Sequence, residues 1–138
     1  VRAAQDVLPT GRKAGPNDII RVGVIGVRGR GRAHVGDFKR SPHSRVVAIC
    51  DPDSGVIGDA MESVPDATYY TDIRKMLDDP TIDAVSIATP NHWHSLATIW
   101  ALQAGKHVYV EKPVSHNVAE GRAVVRAAKR YDRLVQHG

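Results

Sequence analysis

The run Arg21-Val22-Gly23-Val24-Ile25-Gly26-Val27-Arg28-Gly29-Arg30-Gly31-Arg32-Ala33-His34 constrains this chain more than any other stretch. From Val22 to Ile25 it is aliphatic or glycine, too short for a helix and typical of a strand covered on both faces. Glycines at 26, 29 and 31 then allow a tight turn and a close approach of the backbone to a bulky group. Helical spacing resumes near Ala33 and Val35, which predicts a short helix over residues 34–40. Strand, turn and helix in that order aim free N–H groups and the positive end of a helix dipole at the space above the strand. A phosphate binds well there.

The same alternation continues to the end. Aliphatic runs at residues 45–50, 67–70, 82–88, 107–110 and 134–136 read as strands. Between them, Ile57, Met61 and Val64 fall at helical intervals, with Asp53 or Ser54 as the cap and Pro65 as the stop. Asp72 caps a brief helix carrying Ile73, Met76 and Leu77. A further helix has Leu96, Ile99 and Trp100 on its apolar face and Gly105 as its C′ glycine. Asn117 and Glu120 form a capping pair for the last helix, whose apolar positions are Val118, Val125, Ala128 and Tyr131. Strands that alternate with helices predict an α/β fold, a doubly wound parallel sheet between two helical layers. Residues 1–20, with Pro9, Gly11, Gly15 and Pro16 and few aliphatics, read as an irregular lead-in to a single domain over 21–138.

Composition excludes several alternatives. No apolar run approaches the about 20 residues that span a membrane. The formal charge is +4, but Lys and Arg are scattered among Asp and Glu rather than massed on one element. The one dense basic cluster, Arg28, Arg30 and Arg32, lies inside the glycine turn. Aliphatic flanks and the lack of repetition set it apart from an RNA-binding RG segment, so no nucleic-acid partner is expected. The single Cys50 excludes an intramolecular disulfide and closes an apolar run, as a small core residue does. The absence of an initiator Met and of a signal peptide suggests a processed or truncated product.

In a parallel sheet of this kind ligands sit at the carboxyl ends of the strands. The predicted ends are Gly26, Asp51, Thr89 and Glu111, each polar or glycine and each followed by turn residues. A carboxylate at Asp51, twenty residues after Gly31, can accept hydrogen bonds from both hydroxyls of an adenosine ribose and repels a 2′-phosphate. Asp53 adds to that repulsion, so NAD is expected over NADP. Helix capping is the competing role, and it suits Asp53 better. In Thr89-Pro90-Asn91-His92-Trp93-His94 the proline shapes the loop and the polar groups face the cofactor. His92 and His94, at i and i+2, point apart in a strand or a helix, so no metal site is expected. Glu111-Lys112-Pro113 follows the strand directly. A lysine held there can hydrogen-bond a substrate hydroxyl and assist its proton transfer as hydride leaves the carbon.

With these residues in place, the chain resembles the N-terminal, Rossmann-like nucleotide-binding domain of the glucose–fructose oxidoreductase / inositol dehydrogenase (Gfo/Idh/MocA) family. The resemblance covers almost all of residues 21–138. Its marks are Val22-Gly23-Val24-Ile25-Gly26 with the turn to Gly31, Asp51, Ala88-Thr89-Pro90-Asn91 with His94, and Ala104-Gly105-Lys106-His107-Val108 running into Glu111-Lys112-Pro113. It implies hydride transfer between a nicotinamide cofactor and a sugar, cyclitol or related polyol. It implies that Lys112 lies close to both nicotinamide and substrate, and that His94 sits beside the dinucleotide. The cofactor-binding set it implies is Gly26, Arg28, Gly29, Arg30, Gly31, Asp51, Thr89, Pro90, Asn91, His94, Glu111 and Lys112.

Two departures stand out. In the common G-x-G-x-x-G spacing the middle glycine falls at position 28, where this chain has Arg28. The turn then uses Gly29, with Arg28 and Arg30 swung outwards or towards the pyrophosphate. Family members also carry a second domain that binds substrate, supplies a further acid/base group and mediates homo-oligomer assembly. It is absent from this chain, which is expected to bind a dinucleotide without completing a reaction alone. A non-catalytic dinucleotide-binding or sensing module is the alternative reading. The stretch through Pro16-Asn17-Asp18 resembles members exported by the twin-arginine route, which leaves localisation open between periplasm and cytoplasm.

Overall fold

The computed structural model describes residues 18–138. The lead-in expected over residues 1–20 therefore lies almost wholly outside the described residues. Six strands alternate with five helices: β1 (Ile20–Ile25), α1 (Arg30–Arg40), β2 (Ser44–Cys50), α2 (Gly58–Ser63), β3 (Thr68–Tyr70), α3 (Ile73–Leu77), β4 (Ala84–Ile87), α4 (His94–Gln103), β5 (His107–Val110), α5 (Val118–Tyr131) and β6 (Val135–His137). Every strand pair is parallel and the order is β3-β2-β1-β4-β5-β6. The order reverses between β1 and β4, where a doubly wound sheet opens its crevice. This is the expected Rossmann-like α/β sheet.

Alternation along β1 divides the core into two. Val22 and Val24 pack with Val35, Val46, Ile49 and Ala60, under α1 and α2. Ile25 packs on the opposite face with Met76, Ile87, Ala97, Leu102 and Val110, under α3 and α4. Gly23 also faces that side: a Cβ there would lie 2.1 Å from the Met76 Cε, so α3 sits on the bare backbone. The β1–β2 register slips by one residue between Val22 and Gly23, a bulge that turns both Val47 and Ala48 towards the second face. Burying a side chain such as Ile49 or Leu102 is worth about 1.5–3 kcal/mol relative to exposure.

Three expectations need correction. Helix α1 begins at Arg30, a full turn before His34, so the glycine-rich Arg30-Gly31-Arg32 is already helical. Low helix propensity at Gly31 is overridden by packing: a Cβ there would stand 1.7 Å from the Gly26 carbonyl oxygen. On α4 the buried face is His94, Ser95, Ala97, Thr98, Ala101 and Leu102, while Leu96 is 42% exposed and Ile99 and Trp100 are half-buried. This helix packs on the sheet and on α5, so apolar spacing alone does not single out one face. On α5, Val124 and Ala127 are buried, whereas Val118 and Val125 are exposed.

The caps follow the sequence closely. Asp72 accepts from the Arg74 N–H at 2.9 Å. Asn117 and Glu120 bond reciprocally at 3.0 Å. Gly105 takes the left-handed φ of 75° after α4. Asp53 caps a single 3-10 turn, Ser54–Val56, before α2 starts. No helix among the described residues is long and apolar enough to cross a membrane.

Candidate functional site

Four loops meet at the carboxyl end of the sheet. Gly26, at φ 82°, opens the first, and a Cβ there would lie 2.9 Å from the Ala88 carbonyl oxygen. Gly26 N–H donates to the Cys50 carbonyl at 2.8 Å, which anchors the turn to the end of β2. The α1 N-terminus that follows has no side-chain cap and no acidic residue in its first turn. Its N–H groups and dipole thus remain available to an anion. A Cβ on Gly29 would meet nothing within 4 Å, so this is the glycine above which space is open.

The three arginines are drawn sideways. Arg28 is mostly exposed and reaches Asp53 at 3.3 Å. Arg30 donates from Nε to Glu111 Oε1 at 2.8 Å, and Arg32 pairs with Asp59 at 2.6 Å. Of the two orientations expected for Arg28 and Arg30, the outward one is observed for Arg28, and Arg30 turns to the end of β5.

Asp51 is 8% exposed. Its Oδ2 accepts the Val27 N–H and its Oδ1 accepts the Asp53 N–H, both at 3.0 Å. The carboxylate expected to meet a ribose thus also holds the glycine turn. Asp53 caps Gly55 with Oδ1 and leaves Oδ2 to Arg28.

Between these loops and the segment after β4 lies a cleft of about 710 Å³. Gly26, Arg28, Asp51 and Asp53 line one wall, Thr89, Pro90 and Trp93 the other, and Ile25, Cys50 and Ala97 the floor. The Thr89 Oγ1 is buried with no hydrogen-bond partner among the described residues. An orphaned hydroxyl in a mostly apolar cleft, beside an uncapped helix N-terminus, fits a phosphorylated nucleotide that supplies the missing partner. Burial pushes the Cys50 thiol up to about 12, with the Asp51 charge adding to the effect. Pro90 and Asn91 begin a 3-10 turn that leads into α4, and both are exposed.

His94 is buried to 1% exposure. Its Nε2 lies 2.9 Å from the Thr89 carbonyl oxygen and its Nδ1 2.6 Å from that of Pro113. The ring expected beside the dinucleotide therefore sits between two backbone carbonyls, one in the loop after β4 and one in the loop after β5, and a neutral imidazole donates to one of them. His92 is exposed, its ring tilted against Trp93, so the two histidines diverge.

Glu111 stands at the end of β5, and Arg30 first, then His34, holds its carboxyl below the usual range. Lys112 is exposed, and among the described residues its ammonium makes no hydrogen bond or ion pair. The peptide that follows it, Lys112–Pro113, is cis. Lys106, part of the same sequence block, plays another part: it is buried and donates to the carbonyls of Asp79 and Ile82 at 2.6 and 2.9 Å.

Sequence reading missed three members of this site, His34, Tyr109 and Ser86. His34, 4% exposed on α1, lies 2.8 Å from Glu111 Oε1 through Nε2 and 2.8 Å from Ser86 Oγ through Nδ1. Tyr109 meets the His34 ring edge-on at 5.5 Å. Ser86 itself is fully buried in β4. A lone serine in the aliphatic run Ala84–Ala88 was the available signal, since a buried hydroxyl needs a partner.

Known proteins are similar to this chain in sequence and in fold. A glycosyl hydrolase family 109 protein of Shewanella sp. (strain W3-18-1) is 37% identical over 122 residues, which are 82% of this chain and 27% of the relative. The chain thus spans about a quarter of the length of that curated relative. Among solved structures, myo-inositol 2-dehydrogenase from Lactobacillus plantarum superposes with a TM-score of 0.81 at 28% identity, over 88% of this chain and 36% of that one. The WlbA dehydrogenase from Chromobacterium violaceum, in complex with NADH and UDP-GlcNAcA, gives 0.83 at 25% identity over 89% and 36%. The family model for the Gfo/Idh/MocA oxidoreductases, described as an oxidoreductase family with an NAD-binding Rossmann fold, matches residues 20–138. This chain therefore belongs to the Gfo/Idh/MocA family, and its sheet is that family's NAD-binding domain.

Proposed function

We propose that this chain is the cofactor-binding part of an NAD-dependent oxidoreductase acting on a CH–OH group of a sugar, cyclitol or related polyol. The observation that carries the reading is the convergence, at one end of the sheet, of an uncapped α1 N-terminus, Asp51 and Lys112, whose ammonium is unpaired among the described residues. A nicotinamide dinucleotide supplies a hydride donor or acceptor when bound. The residues of this chain bind and orient it. Gly29 and Gly31 bring backbone N–H groups to the pyrophosphate, and Gly26, its own N–H held by the Cys50 carbonyl, shapes the turn. Asp51 receives the adenosine ribose with the lone pairs not spent on Val27 and Asp53. The Thr89 hydroxyl gains its missing partner, and Pro90 and Asn91 border the same wall.

NAD is preferred to NADP on charge. Two carboxylates, Asp51 and Asp53, face the place of a 2′-phosphate, and Asp53 already engages Arg28. Lys112 donates to the substrate oxygen and assists its proton transfer. Substrate selection and a second acid/base group belong to a further domain, which also joins copies of the protein into an oligomer.

Calorimetric titration with NAD⁺ beside NADP⁺, at one salt concentration, tests the reading. NAD⁺ is expected to bind about five- to thirtyfold tighter, since one charge repulsion at this range is worth about 1–2 kcal/mol. Tighter NADP⁺ binding transfers the choice to Arg28. Binding of neither removes the dinucleotide site.

A further inference from the structure

Among the described residues the Lys112 ammonium has no partner, yet both of its neighbours in the chain are held. Glu111 is held through its side chain by the His34 Nε2 and the Arg30 Nε, each at 2.8 Å. Pro113 is held through its carbonyl by the His94 Nδ1 at 2.6 Å. The other nitrogen of each ring faces the neighbouring strand or its loop: the His34 Nδ1 bonds Ser86 in β4, and the His94 Nε2 lies 2.9 Å from the Thr89 carbonyl oxygen just beyond it. Both rings are almost wholly buried, at 4% and 1% exposure.

From this geometry we infer that His34 and His94 are a pair of positioning residues, bracing Lys112 from its two sides against β4. The inference rests on the cofactor site proposed above and assigns these residues no contact with the dinucleotide. Glu111 is a carboxylate under the Arg30 guanidinium, so it accepts only, and the His34 Nε2 carries the proton. Nδ1 then accepts from the Ser86 hydroxyl, and every polar atom of this arm is satisfied. A flexible lysine gains precision when the backbone on both sides of it is fixed, and buried hydrogen bonds fix it without occupying its ammonium. Glu111 links the brace to the glycine turn through Arg30, so the same carboxylate senses the first residue of α1.

The arms are cut one at a time, on the chain as it stands. His34→Phe and His94→Phe keep a ring and remove both bonds, His34→Gln restores a donor towards Glu111, and Ser86→Ala removes only the anchor of His34 on β4. Two readouts are taken. In the first, ¹⁵N relaxation without ligand, the Lys112 amide loses order in both Phe variants and regains it in His34→Gln, while amides of β1 and α5 stay as in the parent. In the second, the NADH dissociation constant rises about three- to tenfold in each Phe variant, the range expected for one hydrogen bond. In a Lys112→Met background the same substitutions add less than about twofold, because there is no ammonium left to place.

Unchanged order at Lys112 overturns the inference. So does an equal loss of affinity in both backgrounds, which marks the histidines as general scaffold. If His94→Phe does not fold, the His34 arm decides through Ser86→Ala and His34→Gln. If the parent chain does not bind NADH, the dinucleotide reading falls, and relaxation at Lys112 still decides whether the brace exists.

Discussion

The Asp51 carboxylate accepts the backbone N–H of Val27 at 3.0 Å, and so ties the end of β2 to the glycine turn 24 residues away in sequence. Its second oxygen accepts the Asp53 N–H. Asparagine offers only one acceptor oxygen, so Asp51→Asn turns an amide N–H₂ towards one of those two donors. The variant is expected to lose about 1–3 kcal/mol of stability, the cost of a buried donor left unpaired. Urea denaturation of both proteins measures it, and a midpoint unchanged from the parent removes the structural half of the Asp51 role.

The glycines of the turn separate into two kinds. Gly31→Ala places a methyl 1.7 Å from the Gly26 carbonyl oxygen and forces α1 off the turn. We expect it to melt well below the parent or to fail to fold. Gly29→Ala meets no protein atom within 4 Å. Its melting temperature should stay within a few degrees of the parent, while dinucleotide affinity drops because the methyl stands in the open space above the turn. Parallel melts and titrations separate the two; equal behaviour would contradict the placement of the ligand.

Cys50 is 2% exposed and its thiol is pushed up to about 12, so it carries almost no thiolate at neutral pH. An aromatic disulfide reagent at pH 8 should leave it unmodified for hours in buffer. Its labelling rate should climb with urea in step with loss of helical circular dichroism. Rapid labelling of the native chain would show that the floor of the cleft opens.

Glu111 gives a pH dependence of definite sign. Arg30 and His34 depress its folded-state pKa, so the unfolded chain binds more protons as the pH falls past the ordinary carboxylate value. Its stabilising contribution is complete above that value and is lost as the pH drops through the folded-state one. Between pH 5 and 3 the urea midpoint should fall less steeply in Glu111→Gln than in the parent. Part of the slope should survive, because Asp79, Glu120 and Asp72 are also depressed, the last to about 2 beside Arg74. Identical slopes in the two proteins would remove Glu111 from this linkage.

The layout of the sheet was legible because it rests on short-range patterns. Aliphatic runs of strand length, Asp72, Asn117 and Gly105 at their caps, and polar residues at four strand ends each act within a few residues of their own position. Helix faces were read less well. Leu96 and Val125 have helical spacing and yet lie outwards, since burial on α4 and α5 is decided by the neighbouring layer. In the candidate site, the turn and its glycines, Asp51 and the cleft wall at Thr89 could be read directly. The partners of Arg28, Arg30 and Arg32 could not.

What the sequence determined by itself was therefore local: a parallel α/β sheet, the glycine turn, and which loops gather at its carboxyl end. Tertiary structure alone decided who holds whom there. His34 and Glu111 are 77 residues apart, and His94 and Pro113 are 19 apart. No spacing rule links such pairs. They meet because the strand order places β5 beside β4 and β4 beside β1, and because a buried imidazole must find polar partners wherever the packed layers supply them.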